Sequence, residues 1–183
     1  MSDPLPIYQR HLGARFGLLP PEVRCFHSLR GNIRLDGTVV IKGASTFLGR
    51  IAAFVVRLPA ESNRQAFVFE MRADARQENW TRRFASRTMR STLSLRGPHL
   101  TESFGPIRLW FKLEATEKQL TMLLQKVTCF GVTLPAWFVP AVSAIETGQA
   151  GQFRFNIEAR WPGNHLFVAY EGILGICERE AAA

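Results

Sequence analysis

The sequence has few cysteines, few lysines and no long apolar run, and each shortage excludes a class of protein. Its three cysteines, Cys25, Cys129 and Cys177, are far apart and odd in number. This argues against the disulfide framework of a small secreted domain. No apolar run approaches the ~20 residues that span a bilayer. Residues 1–6 lack the basic and apolar regions of a signal peptide. We therefore expect a cytoplasmic protein.

Motifs of catalysis and of cofactor binding are also missing. The chain contains no G-x-G-x-x-G for a dinucleotide and no G-x-S-x-G elbow around Ser91. Its four histidines are dispersed, and there is no H-x-x-x-H or Cys/His cluster that could hold a metal. The spacing leaves a Cys–His dyad open without favouring one. We therefore predict no metal and no cofactor, and we expect a non-catalytic domain with an enzyme as the alternative.

The charge is basic, with 23 lysines and arginines against 15 aspartates and glutamates and a net charge of +8. Arginine supplies most of the cations, and its planar fork suits phosphate or carboxylate groups. The cations are spread over many segments and form no block of the kind that marks a nucleic-acid-binding tail. Nucleic-acid binding is therefore a second alternative function, and we predict no specific nucleic-acid partner.

Apolar and polar residues alternate with a period of two through most of the chain after residue 31, as is typical of half-buried strands. Short turns separate these segments, so about eight to ten strands should form an antiparallel meander. A sheet of that size does not stay flat, and we predict a mainly β (α+β) fold with a curled sheet or half-barrel. The residues that we expect to face the core are Phe67, Phe69, Met71, Ile107, Leu109, Phe111, Phe153, Phe155 and Ile157.

The length fits one domain. The most apolar stretch has helical spacing, and we predict that this helix packs against the concave face of the sheet. The predicted organisation is a single domain 1–183, with N-terminal helices in 1–30, a curled sheet in 31–175 that includes a helix at 45–58, and a disordered tail at 176–183. This architecture resembles the lipocalin-like and helix-grip folds, which enclose small apolar ligands.

Several local motifs together resemble a known family. In chain order they are Tyr8-Gln9-Arg10, Glu78-x-Trp80-Thr81-Arg82-x-Phe84, Glu102-x-Phe104-Gly105-Pro106, Gly131-Val132-Thr133-Leu134-Pro135, Gly151-Gln152-Phe153-Arg154-Phe155 and Tyr170-Glu171-Gly172-Ile173-Leu174. The set resembles an uncharacterised bacterial domain family, found alone or fused behind saccharopine-dehydrogenase-like Rossmann domains. The resemblance covers nearly the whole chain. It implies a Rossmann-type reductase as a partner, but no activity and no catalytic residue.

One strand combines a cation with aromatic residues. Alternate residues from Glu78 to Phe84 project from one face, and the aromatic ones indicate that it is the inner face. Arg82 then needs a carboxylate, from Glu78 or Glu102, because an unpaired buried charge is costly. It either anchors the carboxylate or phosphate of a ligand or forms a structural ion pair. The candidate ligand-binding residues are Trp80, Arg82, Glu102, Glu78, Phe84 and Tyr170.

An apolar insert between two prolines, residues 134–140, interrupts the strands. Trp137 and Phe138 are exposed if this insert is a loop, and they would then serve as a lid or contact a membrane. The alternative is a loop folded back onto the barrel end as part of the core.

The leading function is the binding of a small apolar or amphipathic, lipid-like ligand in a β-cup. An enzyme or an accessory domain of a reductase that acts on such a ligand is the alternative. The sequence leaves the oligomeric state open.

Overall fold

The computed structural model describes residues 5–43, 61–74, 76–161 and 163–176. Two short α-helices, α1 (Ile7–Leu12) and α2 (Pro21–Ser28), lie at the start, with a 3₁₀ segment at Gly13–Leu18 and another at Ala136–Phe138. The strands are β1 (Gly31–Lys42), β2 (Ser62–Ala73), β3 (Gln77–Arg83), β4 (Thr88–Arg96), β5 (His99–Phe104), β6 (Ile107–Ala115), β7 (Leu120–Cys129), β8 (Val132–Thr133), β9 (Ala141–Gln149), β10 (Gln152–Trp161) and β11 (His165–Gly175).

The strands form a closed antiparallel barrel. Each strand pairs with the next one along the chain, except that β7 pairs with β9 and carries the two-residue β8 at its side. Pairing of β1 with β11 closes the barrel. The result is a ten-stranded barrel with one further strand outside it, which confirms the prediction of a mainly β fold with a curled antiparallel sheet.

Alternation along the strands sorts the side chains between the inside and the outside, as expected. Six of the nine predicted core residues are buried, and Ile107, Leu109 and Ile157 are half-buried. Ile107 and Leu109 lie where β6 begins, near the end of the barrel, so they have fewer neighbours to cover them. On the opposite face Lys112 is exposed, whereas Arg154 is half-buried.

The two ends of the barrel differ. Because neighbouring strands are antiparallel, the turns after β2, β4, β6 and β9 lie at one end, and α1 and α2 pack there against β4, β5, β9 and β10. We call this the helical end. Phe26 of α2 reaches into the barrel, where its ring stacks on Phe153 with centroids 4.0 Å apart. The helix predicted at residues 45–58 lies outside the described residues.

Two glycines allow the closing strands to approach each other. A Cβ atom at Gly37 would overlap the carbonyl oxygen of Ile173, and one at Gly172 would overlap the ring of Phe155. Gly37 therefore has the close backbone approach that glycine inside a strand indicates.

At the end of β11, the predicted tail begins at Ile176, which is buried. Residues 177–183 lie outside the described residues.

Candidate functional site

The barrel interior contains an ion pair between Arg82 on β3 and Glu102 on β5. A nitrogen of the Arg82 guanidinium donates to Glu102 at 2.9 Å and another donates to the hydroxyl of Ser91 at 3.0 Å. Burial disfavours the charged guanidinium, but the adjacent Glu102 outweighs it and raises the pKa of Arg82. Arg82 also lies 4.8 Å from the centroid of the Trp80 ring. Its charge is thus compensated inside the protein.

Glu78 on β3 is the second buried carboxylate of the barrel interior. It accepts a hydrogen bond of 2.9 Å from the indole nitrogen of Trp80. Burial raises its pKa from 4.5 to about 7, although the nearby His27 opposes this shift. A carboxylate with such a pKa suits acid–base chemistry. Glu78 is only 3% exposed, so it lacks the access that a substrate needs.

A third buried carboxylate, Glu146 on β9, lies 2.6 Å from Nε2 of His27 on α2. The His27 ring stacks on Tyr8 of α1 at 3.6 Å between centroids. Burial, and then the carboxylates led by Glu146, raise the pKa of Tyr8 well above its ordinary value, so its hydroxyl stays protonated. Of these three residues only Tyr8 lies in a sequence motif, and spacing predicted a site role for none of them. The inner face of β9 is otherwise small, with Ala144 and Gly148, which leaves room for α2.

All six candidate ligand-binding residues from the sequence are buried inside the barrel. Three of them, Trp80, Arg82 and Tyr170, line an interior cavity of about 30 Å³. A cavity of roughly 10–15 Å³ holds one water molecule. The interior cavity therefore has room for one or two waters, and a lipid would not fit without displacing side chains such as Phe26.

A much larger cavity, of about 520 Å³, lies against the outer face of β1, β9, β10 and β11. Its residues alternate with the core residues of the same strands, so their side chains point away from the barrel interior. The residues that contribute outward-facing side chains are Thr38, Val40, Arg64, Ile145, Thr147, Arg154, Asn156, Glu171 and Ile173. We call this the outer cavity. No motif in the sequence identified it.

Arg154 is the central cation of the outer cavity. It pairs in register with Thr147 on one side and with Ile173 on the other. Its Nε atom is buried and has no hydrogen-bond partner among the residues that the structure describes. Arg64 lies at the edge of the same cavity and donates to Thr38 at 3.3 Å. The outer cavity thus combines apolar walls with two guanidinium groups.

The end of the barrel opposite the helices carries exposed apolar side chains. Trp137 and Phe138 are 74% and 52% exposed, and Phe130 and Val132 are 84% and 69% exposed. We call these four residues the apolar tip. The alternative in which the insert folds back into the core is therefore wrong for Trp137 and Phe138.

Among the described residues, no three histidines, cysteines, aspartates or glutamates come together to form a metal site. Within the same part of the chain, no helix has both the length and the hydropathy to cross a membrane.

Comparison with curated proteins found no match. A family model described as a domain of unknown function (DUF4166) matches residues 19–174. The match runs from Leu19, two residues before α2, to Leu174 in β11, so it covers both the interior ion pair and the outer cavity. The chain therefore belongs to the DUF4166 family.

Proposed function

We propose that this domain binds a small amphipathic molecule with an anionic head group, and that the ligand occupies the outer cavity. The observation that carries the proposal is the Nε atom of Arg154, which is buried beside the cavity without a hydrogen-bond partner among the described residues. Buried polar groups in proteins normally have such a partner. An acceptor on a bound ligand would supply it.

The size of the outer cavity supports this proposal. Small-molecule sites usually have volumes of roughly 300–1,000 Å³ and apolar walls with a few polar groups. The outer cavity has about 520 Å³. Its apolar side chains include Val40, Ile145 and Ile173, and its polar groups lie among them. This mixture suits an alkyl or ring system that carries one polar end.

The charges of the outer cavity favour an anionic head group. Arg64 and Arg154 contribute two guanidinium groups, and Glu171 contributes one carboxylate. Guanidinium groups bind carboxylate or phosphate through two parallel hydrogen bonds, which are stronger than bonds between neutral groups. A carboxylate or phosphate on the ligand would therefore lie near Arg154 and away from Glu171.

The barrel interior is less suited to this ligand than the sequence led us to expect. Arg82 has Glu102 and Ser91 as partners, so it needs no ligand to compensate its charge. The interior cavity of about 30 Å³ is also more than tenfold smaller than the outer one. We therefore propose that the ligand binds in the outer cavity and not in the β-cup that the sequence predicted.

Isothermal titration calorimetry with dodecanoate and with dodecanol tests the proposal, because the two probes differ only in the head group. We expect wild-type protein to bind dodecanoate more tightly. Arg154→Gln should weaken dodecanoate binding by roughly tenfold or more, since a hydrogen bond to a charged group contributes about 1.5–3 kcal/mol. It should change dodecanol binding little. Ile173→Trp should weaken the binding of both probes, because the indole occupies the cavity.

Arg90→Gln is the matched control, because Arg90 is an exposed arginine on β4 that does not line the outer cavity. It removes the same charge and should leave both affinities unchanged. The proposal is wrong if wild-type protein binds neither probe, or if Arg154→Gln and Arg90→Gln have equal effects on dodecanoate.

The partner and the location that the sequence suggested stay predictions. We propose that the domain works in a bacterial cytoplasm and presents its ligand to a Rossmann-type reductase. The support is chemical: the chain has no dinucleotide fingerprint of its own, so a redox reaction on the ligand would need a second protein. Copurification of such a reductase with the tagged full chain from its source would test this partner.

A further inference from the structure

We infer that the apolar tip docks on the surface of an anionic lipid membrane. This inference rests on a different part of the molecule from the outer cavity and does not depend on the proposed ligand. The tip is a compact segment of the chain between the end of β7 and the start of β9. Phe130, Val132, Trp137 and Phe138 on this segment are all more than half exposed.

The backbone at Phe130 is the strongest sign that this exposure has a function. Phe130 and Gly131 link β7 to β8, and both have positive φ angles, of 50° and 85°. A two-residue hairpin turn of this kind favours Asn-Gly, because bulky residues are strained at positive φ. Here a phenylalanine occupies the strained position and is 84% exposed. Neither turn geometry nor core packing explains a phenylalanine there, whereas insertion into an apolar medium does.

Backbone hydrogen bonds also hold the tip segment in place. The backbone nitrogen of Phe130 donates to Pro106 at 3.0 Å, and that of Leu134 donates to Val127 at 2.9 Å. In the 3₁₀ segment, the nitrogen of Phe138 donates to Pro135 at 2.9 Å. Backbone groups that are already paired enter the lipid region at lower cost than unpaired ones.

The charges around the tip identify an anionic membrane as the partner. The sequence has no aspartate or glutamate between Glu117 and Glu146, a range that includes the whole tip. Lys126 on β7 and Arg108 on β6 lie on the outer face just behind it. Basic residues next to an apolar tip are attracted to anionic lipid head groups, and tryptophan prefers the interfacial region that they form.

The chemistry of the tip favours a lipid surface over a protein. Three of its four side chains have no hydrogen-bonding atom, and the indole of Trp137 is the exception. A tip of this kind offers few directional contacts, whereas interfaces between proteins combine an apolar centre with a polar rim of hydrogen bonds. A bilayer requires no such contacts.

Vesicle flotation tests the inference with the full chain. We expect binding to vesicles of equal parts phosphatidylcholine and phosphatidylglycerol, and weaker binding to phosphatidylcholine alone. The double variant Trp137→Ser/Phe138→Ser should lower the affinity by roughly 100-fold or more, because burial of each aromatic side chain contributes about 1.5–3 kcal/mol. Lys126→Gln should lower it about fivefold, and only on the anionic vesicles.

Two further variants separate a loss of membrane contact from a loss of folding and from a general effect of exposed apolar residues. Phe130→Asn removes an apolar side chain but suits positive φ, so it should fold at least as well as wild type and still bind vesicles less tightly. Leu18→Ser is the control, since Leu18 is an exposed apolar residue near the helical end, and it should bind like wild type. The inference is overturned if wild-type protein does not bind anionic vesicles or if the tip variants bind as wild type does. It is equally overturned if the tip variants instead abolish a dimer while vesicle binding is absent.

Discussion

The barrel interior and the outer cavity both contain an arginine beside apolar side chains, but the two arginines differ in their hydrogen-bond partners. Inside the barrel, Arg82 has a carboxylate and a hydroxyl within 3.0 Å. At the outer cavity, the Nε atom of Arg154 is buried without a partner in the described part of the chain. The first arrangement serves folding, because every charge has a partner that the chain itself supplies. The second leaves bonding capacity that a ligand can use.

Removal of the interior cation should have the largest effect on stability. Arg82→Met leaves the buried Glu102 without its partner, and we expect the free energy of unfolding to fall by about 3–5 kcal/mol. Urea denaturation followed by circular dichroism measures this change. The double variant Arg82→Met/Glu102→Leu should recover most of the loss, because an apolar pair of similar volume often replaces a buried ion pair without cost.

The Arg82→Met variant also tests which region binds the ligand. A single Arg82→Met variant that keeps its stability but loses dodecanoate binding would make Arg82 the ligand anchor. The interior, rather than the outer cavity, would then be the binding site.

Glu78→Gln should change the pH dependence of stability. Because the folded-state pKa of Glu78 is raised from 4.5 to about 7, the folded protein holds a proton that the unfolded chain releases above pH 4.5. The stabilisation is complete below pH 4.5 and is lost as the pH rises to about 7, a loss of about 3 kcal/mol at 1.36 kcal/mol per pKa unit. Glutamine can still accept the hydrogen bond from Trp80, and it does not titrate.

The measurement is urea denaturation of both proteins from pH 4 to pH 8. The variant should become the more stable protein as the pH rises, and the difference between the two should reach its full size by about pH 8. Parallel pH profiles for the two proteins would contradict the raised pKa and would place Glu78 in contact with solvent.

Arg154→Gln should have the smallest effect on stability, in contrast to the large effect expected for Arg82→Met. Within the described part of the chain, the side chain forms no ion pair and its Nε atom has no hydrogen-bond partner. We expect a change within about 0.5 kcal/mol, as for most substitutions near the surface. Thermal unfolding in the absence and in the presence of dodecanoate measures it: the ligand should raise the melting temperature of wild type more than that of the variant. Strong destabilisation without ligand would show that Arg154 has a structural role.

The sequence predicted the residues of the interior ion pair but not the outer cavity. The reason is that the strands of the ion pair are close together in the chain. Glu78, Arg82 and Glu102 lie on β3 and β5, which are separated by one strand of a meander, so alternation alone brings them to the same face. His27 and Glu146 are 119 residues apart, and nothing in either segment indicates that α2 enters the barrel beside β9. The residues of the outer cavity come from five strands, β1, β2, β9, β10 and β11, and alternation assigns them only to a solvent-facing side.

The prediction of N-terminal helices in residues 1–30 also illustrates this limit. Spacing predicted helices there, and the structure has α1, a 3₁₀ segment and α2. Spacing did not show that these helices would supply Tyr8, Phe26 and His27 to the barrel interior. Those contacts are set by the tertiary fold, which places the N-terminal segment at one end of the barrel.

The closing pair β1–β11 has a consequence for the lifetime of the folded protein. Every other pair of neighbouring barrel strands is consecutive in the chain, with only β8 between β7 and β9. Short loops close at small entropic cost, whereas β1 and β11 must meet across nearly the whole domain. We expect the hairpins to form first and this seam to close last, so that unfolding begins by separation of β1 from β11. Gly172→Ala, which crowds the seam, should then speed unfolding in stopped-flow experiments while leaving the folding rate nearly unchanged. An equal loss in the folding rate would mean that the seam forms early. The two glycines that let β1 and β11 approach would thus control the unfolding rate, and with it the lifetime of the closed barrel.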